Sequence, residues 1–456
     1  MALSLCAYST IQEQFGFYPV GFRKPQSLDF SKRNDFPGKP RIILAIAGDL
    51  QDIPNAPILM ITPPEPELTM ETLTIQPKTK NKTQPKYLYK TDPSANRVPA
   101  KIKDISMPWD DMDRTSLLLA IENHLVLLKK QSSDKIVQLG DRKVSIGKLE
   151  ETLVEFQTLL NKDLPQKKFS QQVEKQYEFI SVGQDKDKRM LFTGYYTPVI
   201  EASRNHAPGY EYPIYQKPEN LARTRYIYQQ RYSGDPYARL FFTDGPNYTR
   251  KDIDELHLLD DRQLEIAWLR DDMERYFLHI QGSGILRFPN GDLQGVQYTG
   301  SNGYAYESVG RKLLREGIIS ISEGSMQGIK RHFREHPDDI SKYVYENKRY
   351  IFFKPSDGIP RGASGAAVVG GRSIAVDPKY FPYGALGFMK AKKPILGDEG
   401  EVKRWEKMSR FVVAQDTGAA IRGPGHVDLY FGIGKRAGAS AGRYMQKGKL
   451  FFLLKK

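Results

Sequence analysis

The chain has a single cysteine, Cys6, among 456 residues. One thiol cannot close an intramolecular disulfide or furnish a CxxC-type zinc or iron–sulfur site, so stability must come from packing. Long apolar runs are missing too, and none approaches the ~18 residues that a membrane-spanning helix requires. Acidic side chains fall short of basic ones: 54 Asp+Glu against 68 Lys+Arg leave a formal net charge of +14. What is present is a globular composition, 39% hydrophobic and 11% aromatic, enough to bury an interior and to argue against global disorder. At roughly 100 to 200 residues per domain, the length accommodates two or three folded units.

The first 105 residues read as a basic, flexible tail or linker. Between positions 76 and 103 eight Lys or Arg face one acid, Asp92, with Pro77, Pro85, Pro93 and Pro99 interspersed. Such a stretch buries too little apolar surface to fold alone. It is a solvated linker or, in the sharper reading, a segment drawn to a polyanion or an acidic membrane surface. No clear signal peptide opens the chain, because residues 1–20 lack a basic start and a continuous apolar stretch. A weak internal candidate exists, in which Lys32, Arg33, Lys39 and Arg41 precede the apolar run 42–47 and its Ala45-Ile46-Ala47 pattern. Leu3-Ser4-Leu5-Cys6 resembles a lipoprotein attachment site, but the bulky Leu5 argues against it.

Apolar residues at three- and four-residue spacing predict helices over 116–130 (Leu117, Ile121, Leu125, Leu128) and 146–160 (Leu149, Leu153, Phe156, Leu160). Beyond about residue 187 glycine, proline and tyrosine become dense, and short alternating runs such as 411–416 and 427–431 predict strands. Helical spacing returns at 308–316 and 326–335. The fold class expected is mixed, mainly β with flanking helices, and no internal repeat is visible.

Several local motifs dissolve on inspection. His332-Phe333-Arg334-Glu335-His336 has the H-x-x-E-H spacing of a zinc helix, but Pro337 ends any helix there. Gly432-Ile433-Gly434 with Gly438 lacks the surrounding βαβ unit of a dinucleotide loop. Asp416-Thr417-Gly418-Ala419 carries the D-T-G-A core of aspartic proteases, whose chemistry needs two such carboxylates. Only one copy exists, so that reading demands a symmetric dimer. More telling are three aspartates, Asp377, Asp416 and Asp428, each after a short apolar strand pattern and before turn residues or glycine. If 417–427 loops between two antiparallel strands, Asp416 and Asp428 return to one end of a sheet. Carboxyls gathered there push one pKa upward, as an acid working near neutral pH requires. The bland reading is turn-forming aspartates, and for Asp377, with Pro378 behind it, that reading leads.

The ordered motifs Phe192-Thr193-Gly194-Tyr195-Tyr196-Thr197-Pro198-Val199, His279-Ile280-Gln281-Gly282-Ser283-Gly284, Asn302-Gly303-Tyr304 and Ser308-Val309-Gly310, followed by the three aspartates, resemble the membrane-bound lytic murein transglycosylase A (MltA) family. Its C-terminal part resembles the three-aspartate (3D) domain. The resemblance spans roughly residues 106–456. It implies a double-psi β-barrel catalytic domain at 106–218 and 355–456, interrupted by a smaller β-rich substrate-binding domain at 219–354, with a glycan-binding cleft between them. It also implies peptidoglycan as substrate and a 1,6-anhydro product. Asp428 would be the acid and base, Asp416 its tuning partner and Asp377 a support of the barrel turn. Gln281, Gly282, Ser283 and Gly284 would form a flexed loop approaching sugar hydroxyls. Tyr195, Tyr196 and Tyr304 would offer aromatic faces, with Asn302 and Ser308 beside them. No cofactor and no metal are expected.

The expected partner is thus a glycan strand whose peptide stems carry carboxylates. Nucleic acid is not expected, since no helix-turn-helix, zinc-finger or RNP-type signature accompanies the positive charge. The resemblance further implies a monomer in the bacterial envelope, periplasmic or associated with the outer membrane. Two positions depart from the family pattern: Ala419 replaces a glycine, which would stiffen the loop carrying Asp416, and Ser301 replaces a longer polar residue. The rival reading is a non-catalytic, expansin-like barrel that grips glycan without cutting it.

Overall fold

The computed structural model describes residues 108–456, apart from 184–188, 220–224, 229–238, 243–247, 261 and 321–322. The tail expected at 1–105 and the export candidates within it lie outside the described residues. The described chain opens with a helical cap. Helix α1 (Arg114–Leu128) starts where the Asp113 carboxylate accepts from the Ser116 amide at 2.7 Å. A hairpin, β1 (Ile136–Leu139) and β2 (Arg142–Ser145), leads into α2 (Ile146–Asn161), capped by the Ser145 hydroxyl, and α3 (Gln166–Gln176) follows. The stripes foreseen on α1 and α2 are buried, from Leu117 to Leu128 and from Leu149 to Leu160. They rest on the outside of a barrel, where Phe156 packs on Phe411 with ring centroids 4.9 Å apart. Each such side chain contributes roughly 1.5–3 kcal/mol by leaving water.

Strands β3 (Tyr177–Val182) and β4 (Met190–Thr197) begin that barrel. The chain then leaves at Pro198 to build a second sheet from β5 (Val199–Ser203), β6 (Tyr212–Tyr215), β9 (Glu265–Leu269), β10 (Ser283–Arg287), β11 (Leu293–Ser301) and β12 (Ile351–Ser356). A separate two-stranded ribbon pairs β7 (Arg225–Tyr228) with β8 (Arg239–Phe242). The six-stranded order is β12-β11-β10-β5-β9-β6, and a bridge from Gln216 to Phe353 brings its two edges together. Helices α4 (Arg250–Asp254), α5 (Asp272–Gln281), α6 (Val309–Arg315) and α7 (Met326–Glu335) accompany it. Met273, Phe277, Val309, Leu313, Ile329 and Phe333 bind the last three into one apolar cluster.

The chain returns through β13 (Ser373–Ala375), β14 (Leu386–Leu396), β15 (Val402–Asp416), β16 (His426–Ile433), helix α8 (Gly434–Ala441) and β17 (Met445–Lys455). Strand order is β14-β15-β13-β16-β4-β17-β3, and the extra β14–β17 pairing closes six strands into a barrel with β3 appended. Two parallel pairs, β4 with β16 and β13 with β15, interlock in the double-psi manner. Arg372, fully buried at the start of β13, donates to Asp110, Asp113 O, Ser116 and Phe411 O and so ties the helical cap to the barrel.

The topology adds one feature that the sequence did not show. β15 and β16 run antiparallel but are not neighbours, because β13 lies between them. Three residues are too few to register as a strand in sequence. Yet this insertion pairs Ala375 with Asp416 on one side and with Asp428 on the other.

Candidate active site

Asp416 ends β15 and Asp428 lies near the start of β16, so both carboxyls reach one end of the barrel across the width of Ala375. The loop joining them is held by Asp377. Its Oδ2 accepts from the Gly423 amide at 2.8 Å and its Oδ1 from the Lys379 amide at 3.1 Å, and the residue is 2% exposed. Both carboxylate oxygens of Asp377 are thus engaged by backbone amides.

The other two carboxyls have different surroundings. Asp416 Oδ1 accepts from the amides of Ala363 and Thr417, both at 2.7 Å. Burial pushes its pKa up to about 6 against the pull of those donors. Asp428 has fewer donors, and its Oδ1 is buried with no hydrogen-bond partner. Burial lifts its pKa to about 7, where contact with the Thr193 hydroxyl lowers it and the nearby Asp416 charge raises it. Asp428 therefore holds a proton near neutrality, and Asp416 releases its own sooner.

Aromatic residues wall this end of the barrel. Tyr195 and Tyr430 lie 5.0 Å apart, and the Tyr430 hydroxyl pairs with Thr197 Oγ1 at 2.8 Å. The buried Tyr195 hydroxyl faces Asp416, and its pKa is driven upward by burial and by both carboxylates. Tyr196 is packed instead against Gly438 and Ala441, so it presents little face to a ligand.

The Gln281–Gly284 segment is no flexible loop. Gln281 is the last residue of α5, Gly282 reverses the chain at φ 82°, and Ser283 and Gly284 open β10. Gln281 Oε1 accepts from the Tyr196 amide at 3.0 Å, which latches the second sheet to the barrel. Asn302 also turns inward, donating to the carbonyls of Tyr248 and Lys348 and accepting from the Tyr350 amide. The Tyr304 ring is half-buried, while its carbonyl accepts from Arg349. Ser308 caps α6 through the Arg311 amide at 3.2 Å and borders a cavity.

Two adjoining cavities lie between barrel and second sheet. One, about 120 Å³, is lined by Asp428, residues 418–421, His279, Tyr306 and Arg349. The other, about 220 Å³, is lined by Thr193, Tyr196, Gln281, Tyr306 and Ser308 among others. Ile280 and Tyr306 border both, making one cleft of two chambers with Asp428 on its wall. Tyr306 and Arg349 escaped the sequence reading, and Ile280 entered it only as part of a motif. Their pattern signalled nothing, because the cleft forms only when distant segments meet. Ala419 is exposed and borders the smaller chamber.

A closed barrel that offers a proton-holding carboxyl to a two-chambered cleft defines a class: sites that work on a bound ligand by proton transfer. Residues 191–354 match the MltA specific insert domain and residues 372–454 the 3D domain. A membrane-bound lytic murein transglycosylase A of Escherichia coli is 32% identical over 274 residues, covering 59% of this chain and 67% of that protein. Its Vibrio cholerae counterpart is 29% identical over 277 residues, again 59% of this chain and 67% of that protein. A membrane-bound lytic murein transglycosylase from Agrobacterium tumefaciens superposes with a TM-score of 0.60 at 28% identity, over 75% of this chain and 93% of that one. Escherichia coli MltA with bound chitohexaose superposes with a TM-score of 0.58 at 25% identity, over 76% and 91%. The chain belongs to the membrane-bound lytic murein transglycosylase A family.

Proposed function

We propose that this protein is a peptidoglycan lytic transglycosylase in which Asp428 serves first as acid and then as base. The bond cleaved is the β-1,4 link between N-acetylmuramic acid and N-acetylglucosamine. The observation that carries the reading is the Asp428 carboxyl itself: protonated near pH 7, without a partner at Oδ1, and on the wall of the cleft. Departure of the N-acetylglucosamine oxygen requires a proton, which Asp428 supplies. An ordinary glycosidase adds a second carboxylate as nucleophile or to activate water. Here Asp416 is held by two backbone amides and suits charge tuning better than attack. The muramyl C6 hydroxyl attacks instead, its proton passes to Asp428, and a 1,6-anhydro ring closes. Attack within one molecule draws on proximity, worth up to ~10⁵ M or more in effective concentration when well oriented.

A glycan occupant is supported by the relative solved with chitohexaose. We place the protein in the bacterial envelope as a monomer, in the periplasm or peripherally associated with the outer membrane. That siting follows from the position of its substrate and from relatives named membrane-bound. Among the described residues no helix is long and apolar enough to cross a membrane.

The test is a digest of purified sacculi read by mass spectrometry. The unaltered protein should release muropeptides lighter by one water than hydrolysis products. Asp428→Asn should bind sacculi nearly as well and release none. Products with reducing ends would replace this mechanism by hydrolysis, and binding without release by the unaltered protein would favour the expansin-like module.

A further inference from the structure

Two side chains behind Asp428 have no part in the chemistry above. Thr193 stands opposite Asp428 in the parallel β4–β16 ladder, so the two side chains leave the same face of the sheet side by side, and the hydroxyl acts on the carboxyl as a donor that lowers its pKa. The same hydroxyl oxygen lies 2.7 Å from Nε2 of His426. His426 precedes Asp428 by two residues on β16, so the pleat projects both from one face of the strand. A hydroxyl has one hydrogen to give. Thr193 therefore cannot donate to Asp428 and to His426 at once, and the three groups form a chain whose direction is coupled to the state of its acid end.

We propose that Thr193 and His426 are positioning residues, a two-member relay that keeps the proton on Asp428 between turnovers and reverses during them. The proposal rests on the reading of Asp428 as the acid. When a neutral imidazole accepts at Nε2, Thr193 donates to it and accepts from Asp428, which keeps its hydrogen. After Asp428 has given that hydrogen to the departing oxygen, its carboxylate draws the Thr193 hydrogen and Nε2 loses its donor. Arrival of the C6 hydroxyl proton on Asp428 restores the first arrangement. No proton is gained or lost over the cycle, and the resting direction favours the acid.

The surroundings suit a neutral imidazole. His426 is half-buried on β16, and that partial desolvation disfavours its charged form, as does the positive charge of Arg311 on α6. The Ala420 backbone is the remaining group acting on the ring. On the far side of Thr193 the groups facing Asp428 are Asp416 at the end of β15 and the Tyr195 hydroxyl on β4.

The experiment is the pH profile of kcat/KM on sacculi for the full chain, with His426→Phe, Thr193→Val, Thr193→Ser and the double variant, each checked for folding by thermal melting. Freed from the imidazole, Thr193 donates to the Asp428 carboxylate. His426→Phe should therefore move the alkaline limb about one pH unit lower, roughly fivefold less activity at pH 7 and none lost at pH 5. In a Thr193→Val background that shift should vanish, since His426 acts only through the hydroxyl. Thr193→Ser should keep the unaltered profile. Nitrogen NMR of His426, one of seven histidines, should show the hydrogen on Nδ1. An unchanged limb in His426→Phe, an equal shift in both backgrounds, or a hydrogen on Nε2 overturns the relay. An active Asp428→Asn would sink the underlying reading instead, which separates the two failures.

Discussion

A single oxygen distinguishes the two carboxyls that share the end of the barrel. Asp416 Oδ1 takes two amide hydrogens, whereas Asp428 Oδ1 takes none, and the second group retains its proton to about pH 7. Two consequences follow at the residue scale. Because the Asp416 charge helps hold the Asp428 proton, Asp416→Asn should lower the alkaline limb of the activity profile by up to about one pH unit. That shift, unlike the one from His426→Phe, should survive in a Thr193→Val background. The second consequence concerns stability. A carboxyl whose folded pKa lies near 7 and whose unfolded pKa lies near 3.8 binds more protons folded than unfolded throughout that interval. Stability therefore falls as pH rises from about 4 to 7, and the deficit is complete above 7. Asp428→Asn should melt at the same temperature as the unaltered protein at pH 4 and be more stable by ~2–4 kcal/mol at pH 8, as denaturant titration would measure. Asp416 is visible in sequence because apolar strand residues precede it and Thr417-Gly418 follow, and Asp428 because it sits in the short alternating run 427–431 just after a glycine-rich loop. Thr193, His426 and Tyr306 are not, because a lone hydroxyl or imidazole carries no spacing by which to recognise it.

Elements were legible where one face decides burial. The stripes at Leu117 to Leu128 and Leu149 to Leu160 fall on one side of each helix, and the helices form within two residues of the predicted ends. Helix α5 was missed because its sequence, Asp272–Gln281, buries Met273, Arg275, Tyr276, Phe277, Leu278 and His279, which wrap around the axis. Its terminal Gln281 then resembles the start of a glycine loop. β13 was missed for its length alone, although it sets the distance between the two aspartates. A prediction belongs to this junction. Gly362 lies against the end of β15, where an added Cβ would stand 2.3 Å from the Gln415 carbonyl oxygen and 2.9 Å from Asp416 Cβ. Backbone cannot yield there as a flexible side chain could. Gly362→Ala should cost ~2–4 kcal/mol in denaturant titration and displace Asp416. Gly209→Ala, with nothing within 4 Å but φ at 77°, should cost only ~1 kcal/mol and leave the pH profile alone.

At the scale of the whole molecule the cleft is the feature sequence could least foretell, since its walls come from β4, α5, α6 and the loop before β16. Charge, by contrast, was legible from composition alone. The excess of +14 is spread over the chain, with a dense share at 76–103, while the cleft near Asp428 carries Arg250 and Arg349. A sacculus bearing peptide carboxylates is a polyanion, and attraction to it acts over the Debye length, about 10 Å at 0.1 M salt and 3 Å at 1 M. Retention on sacculi should therefore weaken at least tenfold between 50 mM and 500 mM sodium chloride. Replacing Lys78, Lys80, Lys82 and Lys86 by Gln in the full chain should reduce both the retention and its salt dependence. Cleavage of short soluble glycans should not change with those four substitutions, because a short chain held in the cleft derives its contacts from the walls around Asp428. Salt-independent retention would mean that the cleft alone grips the polymer, and the basic excess would then need another partner.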